Sequence, residues 1–375
     1  MIQIKKLKDC CGCTACKNIC PTKCIEMIRD DEGFYYPHID SAKCINCALC
    51  EKVCPIINTS KKDDNILKSY AGYITNEKIR MKSSSGGIFS SLAEYVLSNH
   101  GVVYGAAFNK AFLIEHIRID NVADLDKLRG SKYVQSQKKD IFIKVRDDLK
   151  NNILVLFSGT ACEISGLKAF LQKDYDNLIT VDVLCHGVPS EKVWELYLNE
   201  YGNQIKRINF RDKVSGWKTY SITIDTNNNK TTIRHYEDRY LRLFLSNICL
   251  RPSCHDCKFK NLNRDSDISI GDAWGIQNYL PNLDDNKGTS VIIVHSSKGE
   301  LLLENIQNNL ILQEHEIEQL LPPTADSRKS VIVHKKRTKF FMLLNKGSCV
   351  NDLYKLIQPS LFARIKNKIK RLLKK

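Results

Sequence analysis

The sequence predicts a small α+β domain rich in cysteine, followed by an α/β domain with a mixed sheet and a helical, basic C-terminal tail. Three observations carry that prediction. Ten of the sixteen cysteines lie before residue 55, strand and helix patterns alternate from Ser69 onward, and positive charge collects at the end of the chain. With 375 residues, 43% of them hydrophobic, the chain can bury a core large enough for two folded units. These features divide it into a first domain at residues 1–57, a polar linker at 58–68, the α/β domain at 69–325 and the tail at 326–375.

A repeat organises the first domain. Cys10, Cys13, Cys16 and Cys20-Pro21 return 34 residues later as Cys44, Cys47, Cys50 and Cys54-Pro55. Each copy reads C-x2-C-x2-C-x3-C-P, the run with which bacterial ferredoxins hold two 4Fe-4S clusters, the fourth thiolate of each run reaching across to the other cluster. This assigns Cys10, Cys13, Cys16 and Cys54 to one cluster and Cys44, Cys47, Cys50 and Cys20 to its neighbour, in a ferredoxin-like domain. Cys11 and Cys24 are left over. Zinc has no use for the cysteine triplet, and disulfides would withhold the thiolates from iron. Between the runs, residues 24–28 and 34–37 flank turn residues 30–33 and read as a β-hairpin whose apolar side chains cover the clusters and limit water. No apolar signal segment precedes the first run, no apolar stretch reaches the roughly 20 residues of a membrane span, and iron-binding thiols need reducing surroundings. The expected location is therefore cytoplasmic.

In the α/β domain, strands are expected at 70–75, 102–108 and 114–119. A helix follows Ser83-Ser84-Ser85-Gly86-Gly87, with Ile88, Leu92 and Val96 on its apolar face, and another lies near 141–149. Residues 153–157 form a buried strand that runs into Ser158-Gly159-Thr160-Ala161-Cys162 and a helix. Residues 179–184 form another, followed directly by Cys185-His186-Gly187-Val188-Pro189-Ser190. Both cysteines thus sit just past the carboxyl ends of strands, the edge where open α/β sheets bind ligands. An antiparallel patch at 205–211, 220–225 and 231–235 precedes Cys249, Cys254 and Cys257, and a strand at 291–295 and a helix at 300–307 close the domain.

Cys254 and Cys257 need two further ligands to bind metal. Cys162 and Cys185 are the natural partners, giving a third 4Fe-4S cluster on Cys162, Cys185, Cys254 and Cys257. Cys249 competes as a ligand because C-x4-C-x2-C also matches the plant-type 2Fe-2S spacing, and a zinc site is the plainer alternative. Ser85, Gly86 and Gly87 at a helix start would suit a flavin pyrophosphate, although most Gly-Gly pairs are simply helix entries. Lys132 in the loop Gly130 to Ser136, and Arg211 with Lys213 beside Gly216-Trp217, could add cations. Singly, each such charge is more often solvated surface. His186, with a pKa near neutrality, is a candidate proton carrier or a hydrogen-bonded structural histidine. Asp272 is a candidate orienting group or a turn aspartate bonded to its own backbone.

In this order, Ser85-Gly86-Gly87, Gly130-Ser131-Lys132-Tyr133, Gly159-Thr160-Ala161-Cys162, Cys185-His186-Gly187-Val188-Pro189-Ser190, Phe210-Arg211-Asp212-Lys213, Gly216-Trp217, Arg251-Pro252-Ser253-Cys254-His255-Asp256-Cys257 and Ile270-Gly271-Asp272-Ala273-Trp274-Gly275 form a pattern. It resembles the beta subunits of deazaflavin-coenzyme-reducing hydrogenase and formate dehydrogenase, from about Ser69 to Leu321. The resemblance implies an iron–sulfur flavoprotein oxidoreductase in which FAD exchanges electrons between clusters and a small-molecule substrate or the deazaflavin coenzyme. It maps the flavin onto Ser85, Gly86, Gly87 and the loop Gly130, Ser131, Lys132, Tyr133, and it favours Cys162, Cys185, Cys254 and Cys257 as cluster ligands. Similar bacterial chains stand near glycan-synthesis enzymes, which implies a link to polysaccharide biosynthesis. Ala161 stands where the pattern has proline, implying a less rigid loop at Cys162.

The formal charge is +15, but from Arg328 to Lys375 there are fifteen Lys or Arg against Asp352 alone, or +14, leaving +1 for the rest. So neutral a body excludes a specific nucleic-acid-binding domain there. Leu361, Phe362, Ile365, Ile369, Leu372 and Leu373 line one helical face opposite Arg364, Lys366, Lys368, Lys370 and Arg371. That is a basic amphipathic helix, suited to peripheral contact with an anionic membrane at about 1 kcal/mol per cation, or to packing on its own domain or a partner. Three functions compete: a flavin reductase fed by a ferredoxin or other electron-transfer protein, an electron-relay subunit of a larger complex without its own substrate, and a redox-responsive nucleic-acid binder using the tail.

Overall fold

The computed structural model describes residues 1–59 and 65–359. Its strands, in chain order, are β1 (Ile25–Arg29), β2 (Tyr35–Ile39), β3 (Lys68–Ile74), β4 (Val102–Phe108), β5 (Ile114–Ile119), β6 (Val155–Thr160), β7 (Leu178–Val183), β8 (Ile205–Asp212), β9 (Ser221–Thr226), β10 (Lys230–Arg234), β11 (Ile268–Asp272), β12 (Ser290–Val294) and β13 (Leu310–Glu314). β1 and β2 are the expected hairpin, in the register Ile25↔Ile39. Eight strands build one sheet in the order β13-β3-β12-β11-β7-β6-β4-β5. Its middle, β4-β6-β7-β11, is parallel, while β5, β12 and β13 run against their neighbours. The mixed sheet follows from residue type: the central strands are covered on both faces, so Val155–Phe157 and Val291–Val294 are unbroken apolar runs. β10-β9-β8 form a separate three-stranded antiparallel sheet.

The sequence reading missed β13. It pairs with β3 from Leu310↔Ile74 to Glu314↔Tyr70, and as an edge strand only Leu310 is buried, so it lacks the alternation that marks a strand. One face of the sheet is covered by helices Ile88–Ser98 and Ser297–Ile306, which bring Ile88, Leu92, Val96, Leu302 and Ile306 into one core. The opposite face carries Ile141–Lys150 and Ala161–Leu171. That layer also receives Cys13, Ala15 and Val53 from the cysteine-rich domain. The seat is shaped for it, because a Cβ on Gly166 would lie 2.6 Å from the Cys13 Cβ and 2.9 Å from its sulfur.

A third core joins Phe34 and Tyr36 of the hairpin to Trp194, Tyr197, Phe210 and Tyr240, and takes in Phe340, Phe341, Leu344, Val350 and Leu353. The expected tail from 326 is thus corrected for its first part. Helices Arg337–Asn345 and Val350–Lys355 belong to the body, and the Arg337 guanidinium grips both carboxylate oxygens of Glu32. Lys339 and Lys355 are exposed on these two helices, while Phe340, Leu344 and Leu353 are buried. The amphipathic pattern at 361–375 lies outside the described residues. Among these, no helix is long and apolar enough to cross a membrane.

If the 337–355 helices are structural, Phe340→Ala should cost about 3–5 kcal/mol, the usual range for a fully buried phenylalanine. A urea titration of the full chain followed by tryptophan fluorescence measures it, and a midpoint unchanged from wild type would contradict the assignment.

Candidate redox site

The two cysteine runs fold into the same loop twice. Gly12 and Thr14 in the first run, and Asn46 and Ala48 in the second, all have φ between 53° and 73°, at positions that match across the repeat. Left-handed residues set between right-handed ones turn successive amides inward and form a concave, anion-accepting nest. Three of the four are not glycine, a conformation that costs about 1–3 kcal/mol where a residue does not favour it. Cys10, Cys11, Cys13, Cys16 and Cys54 line one cavity, roofed by Ile2, Ile4, Met27 and Pro37. Cys20, Cys24, Cys44, Cys47 and Cys50 line the other, roofed by Ile25, Ile39 and Leu49. The fourth cysteine of each run does cross to the other loop, and the left-over cysteines join as a fifth thiol in each cavity. Cys24 lies 3.4 Å from Cys20, sulfur to sulfur. Cys47 is exposed whereas Cys13 and Cys16 are buried, which gives the pair an outer and an inner member.

Cys162, Cys185, Cys254 and Cys257 come from three separate segments and meet at the carboxyl edge of β6 and β7. Cys162 is the second residue of helix Ala161–Leu171, and a capping box of Thr160 and Glu163 fixes that helix start. The capping box holds the first turn that begins at Ala161. Glu163 also pairs with the buried Lys138 at 2.6 Å, which helps hold its carboxyl at about 2 despite burial. The Cys254 sulfur accepts the Val188 amide at 3.3 Å, and the Cys257 amide donates to Ser330 at 2.9 Å. Burial, then repulsion from Cys254, Cys162 and Cys257, pushes the Cys185 thiol well above its ordinary range; burial, with repulsion from Cys257 and Cys162, pushes Cys254 up to about 12. Thiols so placed ionise together only beside a cation. Cys249, the rival ligand, is instead fully buried in the aromatic core beside Tyr240 and takes no part in the set.

The inner and third sets touch. The Cys11 and Cys162 thiols are near enough to shift one another, and Cys13 sits on Gly166 of the helix that Cys162 begins. This junction was not visible in the sequence, where Cys11 stood only as a spare residue.

The residues proposed for the flavin divide into two groups. The Gly86 amide donates to Ser290 Oγ at 2.9 Å and its carbonyl receives Ile74 N–H at 2.8 Å, so the Gly86 amide does not face a phosphate. Gly87, at φ +88°, lies against Ile74; the pair is a tight helix entry on the sheet. The Lys132 ammonium binds the carbonyls of Lys127, Leu128 and Arg129, and Lys213 binds those of Arg80, Ser85 and Lys287. Burial lowers each to about 7, and for Lys213 the neighbouring Arg211 and Arg80 add to it. Both cations serve the backbone. The second group converges. Ser131 donates from backbone and hydroxyl to Ser84, Gly130 has φ +82° with nothing near its would-be Cβ, and Arg211 forks onto Asp272 at 2.9 Å twice while reaching the Tyr133 hydroxyl and the Ser84 carbonyl. The Arg211 Nε is buried without a partner. Trp274, 48% exposed, stacks at 4.7 Å on the buried Trp217, whose indole donates to Asp272. This loop cluster offers a planar group an aromatic face, an open glycine turn and a cation. Asp272 accepts from Arg211 and the Trp217 indole and is not satisfied by its own turn. His186 bonds Asn247 at 2.8 Å and Asp326 at 3.1 Å, and burial lowers its pKa, so neither ring nitrogen is free.

Sequence reasoning missed Lys138, Glu163 and Gln135, whose signal lies only in contacts across the fold. Glu163→Ala should remove the helix cap and strand the buried Lys138, at a cost of about 3–5 kcal/mol. Thermal denaturation of the apo-chain checks this, and a shift no larger than that of a surface substitution would contradict the pairing.

Comparison with known proteins agrees with this geometry. Residues 9–56 match the 4Fe-4S dicluster domain. Residues 69–140 match the N-terminal part, and residues 153–320 the C-terminal part, of the coenzyme F420 hydrogenase/dehydrogenase beta subunit. Curated relatives match the cysteine-rich end. A polyferredoxin-like protein of Methanocaldococcus jannaschii is 37% identical over 57 residues, 13% of this chain and 34% of that protein, so the chain spans about a third of its length. A ferredoxin of the same organism is 33% identical over 65 residues, 16% of this chain and 83% of the relative. Ferredoxin YfhL of Escherichia coli is 39% identical over 62 residues, 15% of this chain and 66% of the relative. Among solved structures, a chain of the F420-reducing [NiFe] hydrogenase complex from Methanosarcina barkeri aligns with a TM-score of 0.48 and 17% identity, over 76% of this chain and 91% of that one. The cysteine nests, the α/β sheet and the three family matches make the chain a 4Fe-4S-binding member of the coenzyme F420 hydrogenase/dehydrogenase beta-subunit family.

Proposed function

We propose that this chain is an iron–sulfur flavoprotein that takes up electrons singly and delivers them in pairs to a small-molecule substrate or the deazaflavin coenzyme. The observation that carries the proposal is the seating of Cys13 on Gly166 of the helix that Cys162 begins, which brings the inner ferredoxin-type group beside the third cysteine group. Electrons would enter at the outer set, where Cys47 is exposed, from a ferredoxin or another electron-transfer protein, and pass inward to Cys162, Cys185, Cys254 and Cys257. FAD, when bound, supplies the exchange between one-electron and two-electron chemistry. Its holders would be Gly130, Ser131, Tyr133 and Arg211, with Ser85 beside them and Trp274 as a stacking face. The part of these residues is to fix and orient a planar ring while Asp272 keeps Arg211 in place. A link to polysaccharide biosynthesis, and contact of residues 361–375 with an anionic membrane, belong to the same proposal.

The commitment of the Gly86 amide to Ser290 Oγ, and of Lys132 and Lys213 to backbone carbonyls, favours a second reading, a relay subunit of a larger redox complex with no substrate of its own. Anaerobic reconstitution separates the two. The flavoprotein reading expects roughly 12 iron and as many sulfide per chain, flavin absorbance, and reduction of a small acceptor by the chain alone. Clusters without flavin, and turnover only with an added partner protein, would favour the relay. Cys254→Ala should lower the iron content by about a third, whereas Cys249→Ala should leave it unchanged.

A further inference from the structure

Arg251 is a buried cation with no carboxylate to answer it. It is 1% exposed. Its Nε donates to the Cys10 carbonyl at 2.9 Å, Nη1 to Gln135 Oε1 at 3.2 Å and Nη2 to the Tyr35 carbonyl at 2.9 Å, while Nη2 also lies 3.6 Å from the Cys10 sulfur. The guanidinium lies 4.4 Å from the centre of the Tyr36 ring. Other buried arginines in this chain are matched by an acid: Arg211 by Asp272, Arg264 by Asp182 and Arg80 by Asp285. Among the described residues no such acid pairs with Arg251. Its own carbonyl accepts the Cys254 amide at 3.0 Å, so the residue whose side chain reaches Cys10 of the inner set also opens the turn that carries Cys254 of the third. Gly12 leaves the room, since a Cβ there would lie 3.1 Å from Nη1.

An isolated buried charge is too costly to keep unless opposite charge accompanies it. The anionic groups in reach here are sulfurs. We propose that Arg251 is a positioning residue and the shared counter-ion of two clusters, the inner one on Cys10, Cys13, Cys16 and Cys54 and the third on Cys162, Cys185, Cys254 and Cys257. The inference rests on the cluster reading above and adds to it the residue that sets the order of potentials. When a one-electron carrier of low potential reduces the inner cluster, iron gains one electron, no bond breaks and no proton moves. The added negative charge lies beside the guanidinium, whose attraction is strong in a dry interior. The reduced state is stabilised and the midpoint rises, making the inner cluster the sink for an electron arriving at the outer one. Reduction of the third cluster then draws on the same cation.

The test uses the full chain, reconstituted anaerobically, assayed for iron and sulfide, and titrated with dithionite while the cluster signals are followed by electron paramagnetic resonance. Arg251→Gln keeps a hydrogen-bond donor and removes the charge, and the inner midpoint should fall by at least the tenfold equilibrium change that corresponds to about 59 mV for one electron. Arg251→Lys keeps the charge and should restore most of that shift. Gln135→Glu puts a carboxylate against Nη1, pairs off the cation with the arginine in place, and should lower the same midpoint. If Arg251→Gln fails to hold the inner cluster, Gln135→Glu decides. A midpoint that stays at the wild-type value in either variant that retains the cluster overturns the inference. A wild-type chain free of iron and sulfide overturns the cluster reading itself.

Discussion

The constraint on which this structure depends is the confinement of many sulfur atoms in a space with little water. Crowded thiols resist ionisation, as the upward shifts at Cys185 and Cys254 record, and the fold surrounds them with groups that favour negative charge. Two nests turn amides toward the first and second sets, the Val188 amide meets the Cys254 sulfur, and the Arg251 guanidinium lies 3.6 Å from the Cys10 sulfur. Apolar side chains, Ile2, Met27 and Pro37 on one cavity and Ile25 and Ile39 on the other, exclude water, one of the levers on cluster potential.

The large sheet makes this arrangement possible. Because β4, β6, β7 and β11 run in parallel, their carboxyl ends fall along one edge, and the segments that follow them deliver Cys162, Cys185 and the Asp272–Trp274 turn to that edge. The helix that Cys162 begins is also the floor beneath Cys13. One rigid element thereby positions a ligand of one set and supports another, and the capping box at Thr160 and Glu163 secures its first turn. The Phe340 and Phe341 helices close the aromatic core that holds the hairpin, so the last described segment steadies the first domain.

Within the candidate ring-binding cluster, the polar residues do different work from what their types suggest. Lys132 and Lys213 neutralise carbonyls at turns, and Gly86 permits the chain to press against β3 and β12, where a Cβ would meet the Gly72 carbonyl at 2.5 Å. Arg211 is tied down by Asp272 yet keeps one unsatisfied nitrogen, and Trp274 leaves half its surface open above Trp217. Lys132 and Lys213 hold backbone carbonyls, whereas the buried Arg211 lies 5.3 Å from the centre of the half-exposed Trp274 ring.

Local pattern determined much of this protein. The C-x2-C-x2-C-x3-C-P repeat implied the exchange of fourth cysteines between Cys20 and Cys54 because that geometry is a property of the loop, and the apolar runs at Val102–Phe108 and Ile114–Ile119 gave strands with the same bounds. Edge strand β13, half exposed, left too weak a period to read. What only the tertiary structure decided are meetings between residues far apart in the chain: Cys11 with Cys162, Arg251 with Cys10, Glu163 with Lys138, and the burial of Phe340 beneath the hairpin. A sequence encodes which groups are charged, apolar or turn-forming over a few neighbours, but burial and Coulomb pairing depend on distance in space. That distance is fixed only when the sheet order brings separate segments to one edge.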